Sequence, residues 1–386
     1  MEVFGRRKVS AQEAFPCPAL HAEAAGYWVA FNRILGIGPA RFRLLLAYFR
    51  DDLALAWRAD GQELAQAGLP QRTIEAFLAQ RAKIEPEREL ERLRNEQVGL
   101  LTWRDAAYPA LLREIDDAPP VLYVRGTLTE ADRFALAVVG TRNSDEYGRQ
   151  ATERLVTGLA RGQVTIVSGL ALGIDSLAHC AALEAGGRTI AVLACGLDMV
   201  YPRQNLALAR RIVESGQGAL LSEYPLGMRP ESGSFPARNR IISGISQGVL
   251  VVQAGEKSGA LITADRAIKQ GREVFAVPGS IFASRSAGTN RLIRDGAHAV
   301  LEVNDILESL NIFMIPLRME VQQTLPENVE ERDLLALLGP EPIYIDELIV
   351  NSQLPAPTVT ATLTLLELKG LVKIVGGAQV VLACQG

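Results

Sequence analysis

Short apolar segments alternate with amphipathic helical segments between residues 98 and 310, and this alternation is the feature that most constrains the fold. Apolar segments of this length, separated by helical crossovers, are typical of a parallel sheet with helices on both faces. We therefore predict an α/β region built on a Rossmann-like, doubly wound parallel sheet. The predicted strands are Val98–Trp103, Val121–Val124, Ala135–Gly140, Val164–Ser168, Thr189–Cys195, Ala219–Glu223, Val249–Gln253, Val274–Val277 and Ala299–Val303.

The preceding residues, 1–97, are predicted to form a helical domain similar to SAM and helix-hairpin-helix domains. The turn Leu35-Gly36-Ile37-Gly38-Pro39 is of the helix-hairpin-helix type, and residues 67–70 form a degenerate second copy. Glycines in such a turn let backbone N–H groups approach a DNA phosphate, and Arg41 and Arg43 flank it here. The alternative is that the turn only joins two packed helices.

The residues after the α/β region are predicted to form a linker, 311–328, and a winged-helix domain, 329–386. Prolines interrupt the linker, and the domain shows the winged-helix order of three helices followed by a two-stranded hairpin. Together with residues 1–97 and 98–310, this gives three domains and one linker. The predicted elements of the last domain are Glu330–Leu338, Asp346–Asn351, Thr358–Lys369, Leu371–Val375 and Gln379–Leu382.

Charge and cysteine content limit what the chain can bind. The net charge of −4 excludes a uniformly basic surface, but residues 121–310 carry 20 Lys+Arg against 18 Asp+Glu, whereas residues 327–386 carry 3 against 8. Only the central region could therefore attract phosphate, through local clustering. The four cysteines are scattered without a CxxC pair, and no apolar run could span a bilayer. We expect a cytoplasmic protein without a metal, a cofactor or a membrane segment.

Ligands bind a doubly wound sheet beyond the carboxyl ends of its strands, so the residues after each strand are the informative ones. In this chain they are mainly Gly, Ser, Thr, Asn and Arg, with few acids. Amides at helix starts, hydroxyls and guanidinium groups together form an anion-binding rim. The candidate nucleic-acid-binding residues are Gly140, Thr141, Arg142, Ser168, Gly169, Gly173, Arg203, Asn205, Phe235, Arg238, Asn239, Arg240, Lys257, Ser258 and Gly259.

Two of these segments indicate binding to different degrees. Ser168–Asp175 lacks the GxGxxG spacing, and without a Walker lysine it could be only a close strand-to-helix turn. Phe235–Arg240 opens a helix with two arginines and an asparagine directly after an aromatic residue. Arginine beside an aromatic ring suits a stacked base and its phosphate, which are the two groups that single-strand binders use. Solvated surface charge is the alternative.

The segments at the strand ends form a series of motifs: Val138–Arg142, Ser168–Asp175, Gly196–Asn205, Ser222–Pro225, Phe235–Ile241, Ser258–Ala264 and Val274–Gly279. These motifs resemble those of the DprA (Smf) family, in the family's order. The resemblance implies a protein that binds single-stranded DNA during natural transformation, protects it, and helps to load the recombinase RecA. It also implies a homodimer joined through the Rossmann-like domains. The basic pocket that the resemblance implies comprises Arg142, Arg203, Phe235, Arg238 and Arg240.

One position departs from the family pattern. Gln253 stands where the family leads us to expect a Glu, which puts a role for a carboxylate there in doubt.

An enzyme is the first alternative function. A Rossmann-like nucleotide-binding enzyme of the lysine-decarboxylase-like or phosphoribohydrolase group would show a Pro-Gly-Gly-x-Gly-Thr run, which Pro278-Gly279-Ser280 matches poorly. His179 lies on an apolar helical stretch with no catalytic set around it, so we do not expect an enzyme.

A metabolite-sensing transcription factor would also explain a winged helix. The recognition helix Thr358–Lys369 carries only Glu367 and Lys369 as charged residues, and its domain is acidic. Phosphate contacts supply much of any DNA affinity, so this domain should bind duplex DNA poorly. We expect it to dock a protein or to stabilise a dimer instead.

Overall fold

The computed structural model describes residues 22–310, 329–338, 343–352, 354–368, 372–375 and 379–382. The chain divides into two compact units, Met1–Met314 and Ile315–Gly386, and each is described by itself. The three-domain division made from the sequence stays a prediction. Within the described residues, no helix is long and apolar enough to cross a membrane.

The first unit is built on one mixed sheet. Its strands are β1 (Gly99–Thr102), β2 (Val121–Gly126), β3 (Ala135–Val139), β4 (Thr165–Ser168), β5 (Thr189–Val192), β6 (Gly218–Ser222), β7 (Gly248–Val251), β8 (Glu273–Ala276) and β9 (His298–Ala299). Their spatial order is β1-β2-β6-β5-β4-β3-β7-β8-β9. Strands β3 to β9 run parallel, and β1 and β2 add an antiparallel edge. Chain order reverses at β3, so the predicted doubly wound sheet is confirmed.

Every predicted strand is present, but several end earlier than their apolar runs. Strand β5 ends at Val192, although Leu193, Ala194 and Cys195 stay buried after it. The last strand is only His298–Ala299, whereas the sequence predicted residues 299–303. After β5, apolar composition follows burial rather than strand pairing, so the buried loop was predicted as a continuation of the strand.

Helices cover both faces of this sheet. They are α1 (Ala22–Asn32), α2 (Pro39–Tyr48), α3 (Leu53–Arg58), α4 (Gly61–Gln66), α5 (Gln71–Arg81), α6 (Pro86–Asn95), α7 (Ala110–Arg113), α8 (Glu146–Arg161), α9 (Ile174–Glu184), α10 (Leu206–Glu214), α11 (Ser234–Gly244), α12 (Ala260–Lys269), α13 (Ala287–Arg294) and α14 (Val303–Ser309). Helices α7, α11 and α12 bury their apolar side chains in one core cluster, and α8, α9 and α14 bury theirs in another. Burial on both faces explains why the strands are apolar throughout.

The N-terminal helices share a third core cluster with the sheet. Trp28 and Phe31 of α1 pack in the same cluster as Tyr123 of β2 and Leu220 of β6. Phe31 also stacks on Phe77 with ring centroids 5.4 Å apart. Helices α1 to α6 therefore complete the core over one part of the sheet.

The helix-hairpin-helix-like turn uses its arginines internally. Arg41 donates to the carbonyl oxygen of Gly36 within the turn. Arg43 donates to the carbonyl oxygen of Asp116 at 2.6 Å and lies over the Trp103 ring, 5.0 Å from its centroid. These contacts favour the interpretation that the turn joins packed helices.

The second unit has the predicted winged-helix order. It contains α15 (Val329–Leu337), β10 (Ile343–Tyr344), α16 (Ile345–Ser352), α17 (Ala356–Leu368), β11 (Val372–Val375) and β12 (Gln379–Leu382). The three strands pair in the order β10-β12-β11 around a small core that includes Leu334, Leu348 and Leu363. Strand β10 was not predicted from the sequence, because two residues give no periodic signal. The predicted helix end at Lys369 and the turn at residues 376–377 lie outside the described residues.

The shared core predicts a large effect for Phe31→Ala. Truncating a fully buried Phe should lower the free energy of unfolding by about 3–5 kcal/mol, because contacts are lost and a cavity is left. Urea unfolding followed by tryptophan fluorescence measures this change, since Trp28, Trp57 and Trp103 all belong to or pack on the same cluster. Leu55 is 53% exposed on α3, so Leu55→Ala serves as the control and should change stability by less than about 0.5 kcal/mol. Equal effects of the two substitutions would contradict the shared core.

Candidate functional site

An open pocket of about 830 Å³ lies where chain order reverses in the sheet. Strands β3 and β7 are parallel neighbours there, so the loops that follow them open side by side. The lining is completed by residues of α11 and α12, by Ser284 and Arg285 from the loop after β8, and by Ala171, Asp175, Tyr201 and Ser232. This is the topological switch point at which doubly wound sheets bind ligands. The predicted residues that line the pocket are Gly140, Thr141, Arg142, Phe235, Arg238, Asn239, Lys257, Ser258 and Gly259.

Three side chains form what we call the aromatic–arginine cluster of the pocket: Arg142, Tyr201 and Phe235. The Arg142 guanidinium lies 5.7 Å from the centroid of the Phe235 ring, and the Tyr201 and Phe235 rings are 5.5 Å apart. Arg142 is exposed and has no ion-pair partner among the described residues, and the same holds for Lys257 in the loop after β7. The pocket therefore presents free positive charge beside partly exposed aromatic faces.

Among the lining residues absent from the sequence prediction, Tyr201 and Arg285 have the side chains best suited to bind a nucleic acid. Tyr201 directly precedes the selected Tyr-Pro-Arg arginine, and its aromatic ring beside a strand-end motif was a usable signal. Arg285 lies 3.7 Å from Asp145 across the pocket edge. It follows β8 by nine residues, so the rule that examines residues directly after strands could not select it.

Four predicted residues lie behind the pocket lining and contact the loops that form it. Ser168 donates to the Val138 carbonyl at 2.6 Å, and Asn205 donates to the Leu170 carbonyl at 2.8 Å. Gly173 has φ +80°, and a Cβ there would collide with the Thr141 carbonyl oxygen. Gly169 is covered by the buried Arg238 guanidinium. These residues bring the β4–α9 loop against the β3–α8 loop, which is the close-turn interpretation of Ser168–Asp175.

Arg238 lies in the floor of the pocket and is only 5% exposed. Its Nη1 donates to the carbonyl oxygens of Gly169 and Val192, the first of these at 2.7 Å. The buried Asp175 accepts from the Gly169 N–H at 3.1 Å. Burial raises the pKa of Asp175, and the nearby Arg238 charge opposes that rise. The buried Arg238 side chain therefore links α11 by hydrogen bonds to the ends of β4 and β5.

Arg240 does not line the pocket. It forms a bidentate ion pair with Glu223, with both N–O distances at 2.6 Å, and its Nε donates to the Asp117 carbonyl at 3.0 Å. With its guanidinium occupied in this way, we no longer propose Arg240 as a phosphate ligand. Arg203 is exposed in a short 3₁₀ helix after Pro202 and lies outside the pocket lining.

Gln253 holds the β3–α8 loop in place. Its Nε2 donates to Asp145 Oδ1 at 2.8 Å, and its Oε1 accepts from the Asp145 N–H at 3.2 Å. The Asp145 carboxylate in turn caps α8 by accepting from the Gly148 N–H. The hydrogen bonds from Gly148 and from Gln253 Nε2 lower the pKa of Asp145. A glutamate at this position would oppose one carboxylate with another. An amide at position 253 therefore suits this chain, because it can donate to the Asp145 carboxylate.

His179 has the environment of a core residue. It is fully buried, its Nδ1 lies 2.7 Å from Thr189 Oγ1, and burial lowers its pKa to about 3. An imidazole that stays neutral and shielded from solvent at pH 7 is a poor proton donor to a ligand. Among the described residues, no group of three or more His, Cys, Asp or Glu side chains could hold a metal ion.

The fold and the pocket define a Rossmann-like α/β protein with a basic, aromatic-lined switch point, followed by a winged-helix unit. Residues 99–311 match the family described as DNA recombination-mediator protein A, and residues 320–378 match the DprA winged helix domain. The chain belongs to the DNA recombination-mediator protein A, or DprA, family.

Individual relatives support the same assignment. Protein Smf of Synechocystis sp. is 37% identical over 383 residues, which cover 90% of this chain and 96% of that protein. The X-ray structure of DprA from Streptococcus pneumoniae is similar with a TM-score of 0.64 and 35% identity, over 73% of this chain and 97% of that one. DprA from Helicobacter pylori, studied for its single-stranded DNA binding mode, is similar with a TM-score of 0.50 and 33% identity, over 56% of this chain and 96% of that one.

The Gln253–Asp145 contact predicts a pH-dependent loss of stability in Gln253→Glu. At pH 7.5 the free energy of unfolding of the variant should be about 1–3 kcal/mol lower than that of wild type, because a hydrogen-bond donor is removed and two carboxylates face each other. Burial and the like charge of Asp145 raise the folded-state pKa of the introduced carboxyl above its unfolded value. The native state then binds the extra proton, so the deficit should shrink as pH falls through the raised pKa toward about 4.3.

Urea unfolding at pH 7.5 and pH 5, with wild type at both values, measures this change. Asp145→Asn in the same chain should restore stability at pH 7.5, since an amide can again donate to the carboxylate. A deficit that is equal at both pH values would contradict the explanation.

Proposed function

We propose that the pocket binds single-stranded DNA, with phosphates on Arg142 and Lys257 and a base against Phe235 or Tyr201. The observation that carries this proposal is the aromatic–arginine cluster, in which unpaired Arg142 lies 5.7 Å from the Phe235 centroid at an open pocket. Charge for the backbone and a ring face for the base are the two contacts that single-strand binders combine. The binding of a single strand by the Helicobacter pylori relative supports the same interpretation.

A single strand fits this cluster better than a duplex does. Stacking on Phe235 or Tyr201 requires a base whose face is free, and bases inside a duplex are covered by their neighbours. Only a few free cations face the pocket, whereas duplex binding without base contacts depends on many phosphate contacts. The two buried arginines, Arg238 and Arg240, add no free donors at the surface.

A binding role also fits better than nucleotide chemistry. Asp175 is the one acidic side chain among the described residues that line the pocket, and it is buried and accepts from the Gly169 N–H. A carboxyl group held inside in this way favours a structural part over acid–base chemistry on a nucleotide, which supports the proposal of a DNA-binding pocket.

The wider role that we propose follows from membership of the family. The protein would act in the cytoplasm as a homodimer joined through its Rossmann-like unit, protect DNA that enters during natural transformation, and help to load RecA. Sedimentation of the full chain tests the dimer. A RecA filament-assembly assay on strands coated with a single-strand-binding protein tests the loading step, and the absence of any acceleration would count against it.

Replacing Arg142 and Phe235 should separate the two kinds of contact. Arg142→Ala should weaken binding of an unstructured oligonucleotide and reduce the salt slope, −d log K/d log[salt], by about 0.7, because one phosphate contact is lost. Phe235→Ala should cost about 1–3 kcal/mol of binding free energy with the slope nearly unchanged, because stacking releases no counterions. Fluorescence anisotropy across a salt series gives both quantities.

A matched control for Arg142 lies on α8, the helix that follows the β3–α8 loop. Arg161 is exposed at the last residue of α8, roughly 22 Å along the axis from its first residue. Arg161→Ala should therefore leave affinity and slope unchanged. Arg142→Lys keeps the charge but loses the planar guanidinium, and full affinity in that variant would leave simple charge attraction as the explanation. An unchanged slope in Arg142→Ala would exclude the phosphate contact.

Removing the second unit should preserve binding. A chain that ends at residue 310 keeps every lining residue of the pocket, and the lost residues 327–386 carry a net negative charge. The cut must not also remove the N-terminal helices, because they share a core with β2 and β6. The oligonucleotide affinity of the shortened chain should stay within about threefold of that of the full chain. A change of this size is smaller than the loss of one stacking contact would cause. Loss of binding in a folded shortened chain would place the site elsewhere.

A further inference from the structure

The loop between β8 and α13 presents two adjacent apolar side chains to solvent. Ile281 is 85% exposed and Phe282 is 92% exposed, the two highest values among the large apolar side chains of the described residues. Single exposed apolar residues are ordinary on a protein surface. Two neighbours at the tip of one loop form a small apolar platform, which we call the Ile281–Phe282 tip.

Hydrogen bonds fix the backbone at the start of this loop. Asn290 exchanges two bonds with Gly279, at 3.1 Å from the Gly279 N–H and 3.0 Å to its carbonyl. Tyr147 donates to the Pro278 carbonyl at 2.6 Å. The Phe282 N–H donates to Ser280 Oγ at 3.2 Å, which closes the turn itself. The backbone before the tip is therefore fixed to α8 and α13, and the Ile281 and Phe282 side chains project into solvent.

The same loop continues directly into the DNA-binding pocket. Ser284 and Arg285, two and three residues after Phe282, line that pocket. Three arginines follow the tip, and each has a carboxylate nearby: Arg285 lies 3.7 Å from Asp145, and Arg291 and Arg294 lie 3.6 and 3.4 Å from Asp295. The tip thus lies two residues before the part of the loop that lines the DNA-binding pocket, which favours the strand bound there as its ligand.

We infer that the Ile281–Phe282 tip is a second stacking platform, which receives a base of the same DNA strand after the strand passes Arg285. This inference rests on the proposed function. Exposed aromatic rings next to cations are what single-strand binders offer to successive bases. The tip by itself is too small to be the interface of the proposed homodimer, because one Phe buries about 150–250 Å² and a stable interface needs roughly 800 Å² from each partner.

The test compares strands with and without bases. Anisotropy measures the affinity of the full chain for an oligothymidylate of about 16 nucleotides and for an abasic strand of equal length and charge. Phe282→Ala should weaken binding of the oligothymidylate by roughly 5- to 150-fold, the range that one stacked base covers. Binding of the abasic strand should not change. Phe282→Leu should behave like Phe282→Ala, because an aliphatic side chain has no ring face.

Two controls separate this inference from the proposed function. Leu55→Ala removes an exposed apolar side chain from α3 and should leave both affinities unchanged. If Arg142→Ala weakens binding while Phe282→Ala does not, the tip is not a stacking platform and the pocket assignment stands. Full affinity in Phe282→Leu would also overturn the inference, since it would show contact without stacking. If neither Arg142→Ala nor Phe282→Ala weakens binding, the proposed function itself is wrong.

Discussion

The buried guanidinium of Arg238 is the contact on which the rest of the site depends. From the first turns of α11 it donates to the carbonyl oxygens of Gly169 after β4 and Val192 at the end of β5. An unpaired charge in this position would be costly, and the backbone carbonyls together with the nearby Asp175 offset that cost. Because α11 is tied to the strand ends in this way, Phe235 and Asn239 are held at the pocket edge.

The four arginines predicted at the site divide into two groups by their surroundings. Arg238 and Arg240 are buried, where Arg238 Nη1 donates to backbone carbonyls and Arg240 pairs with Glu223. Arg142 and Arg203 are exposed, and Arg142 stands over an aromatic ring. The inner pair builds the floor on which the outer residues can present free charge. A basic pocket can therefore exist in a protein whose net charge is −4.

Close packing of loops at the switch point explains several residues that carry no charge. Gly173 must lack a side chain because the Thr141 carbonyl occupies the space. Gln253 must be an amide because Asp145 faces it and accepts its N–H. Both residues position the β3–α8 loop, and that loop carries Arg142. Substitutions at these positions would move a ligand-facing residue without touching a ligand.

The alternation of strands and helices in the α/β region, the doubly wound sheet and the winged helix could be predicted from the sequence, because the period of apolar residues reports local structure. The strand-end rule also found nine of the residues that line the pocket, since parallel strands end at one edge. The sequence did not distinguish Arg238 and Arg240 from Arg142, because all three lie in polar strand-end segments. Only the tertiary structure decided that two of them are buried, that Tyr201 and Arg285 join the pocket, and that the N-terminal helices share the sheet's core. These outcomes depend on contacts between residues far apart in the chain, which local periodicity does not record.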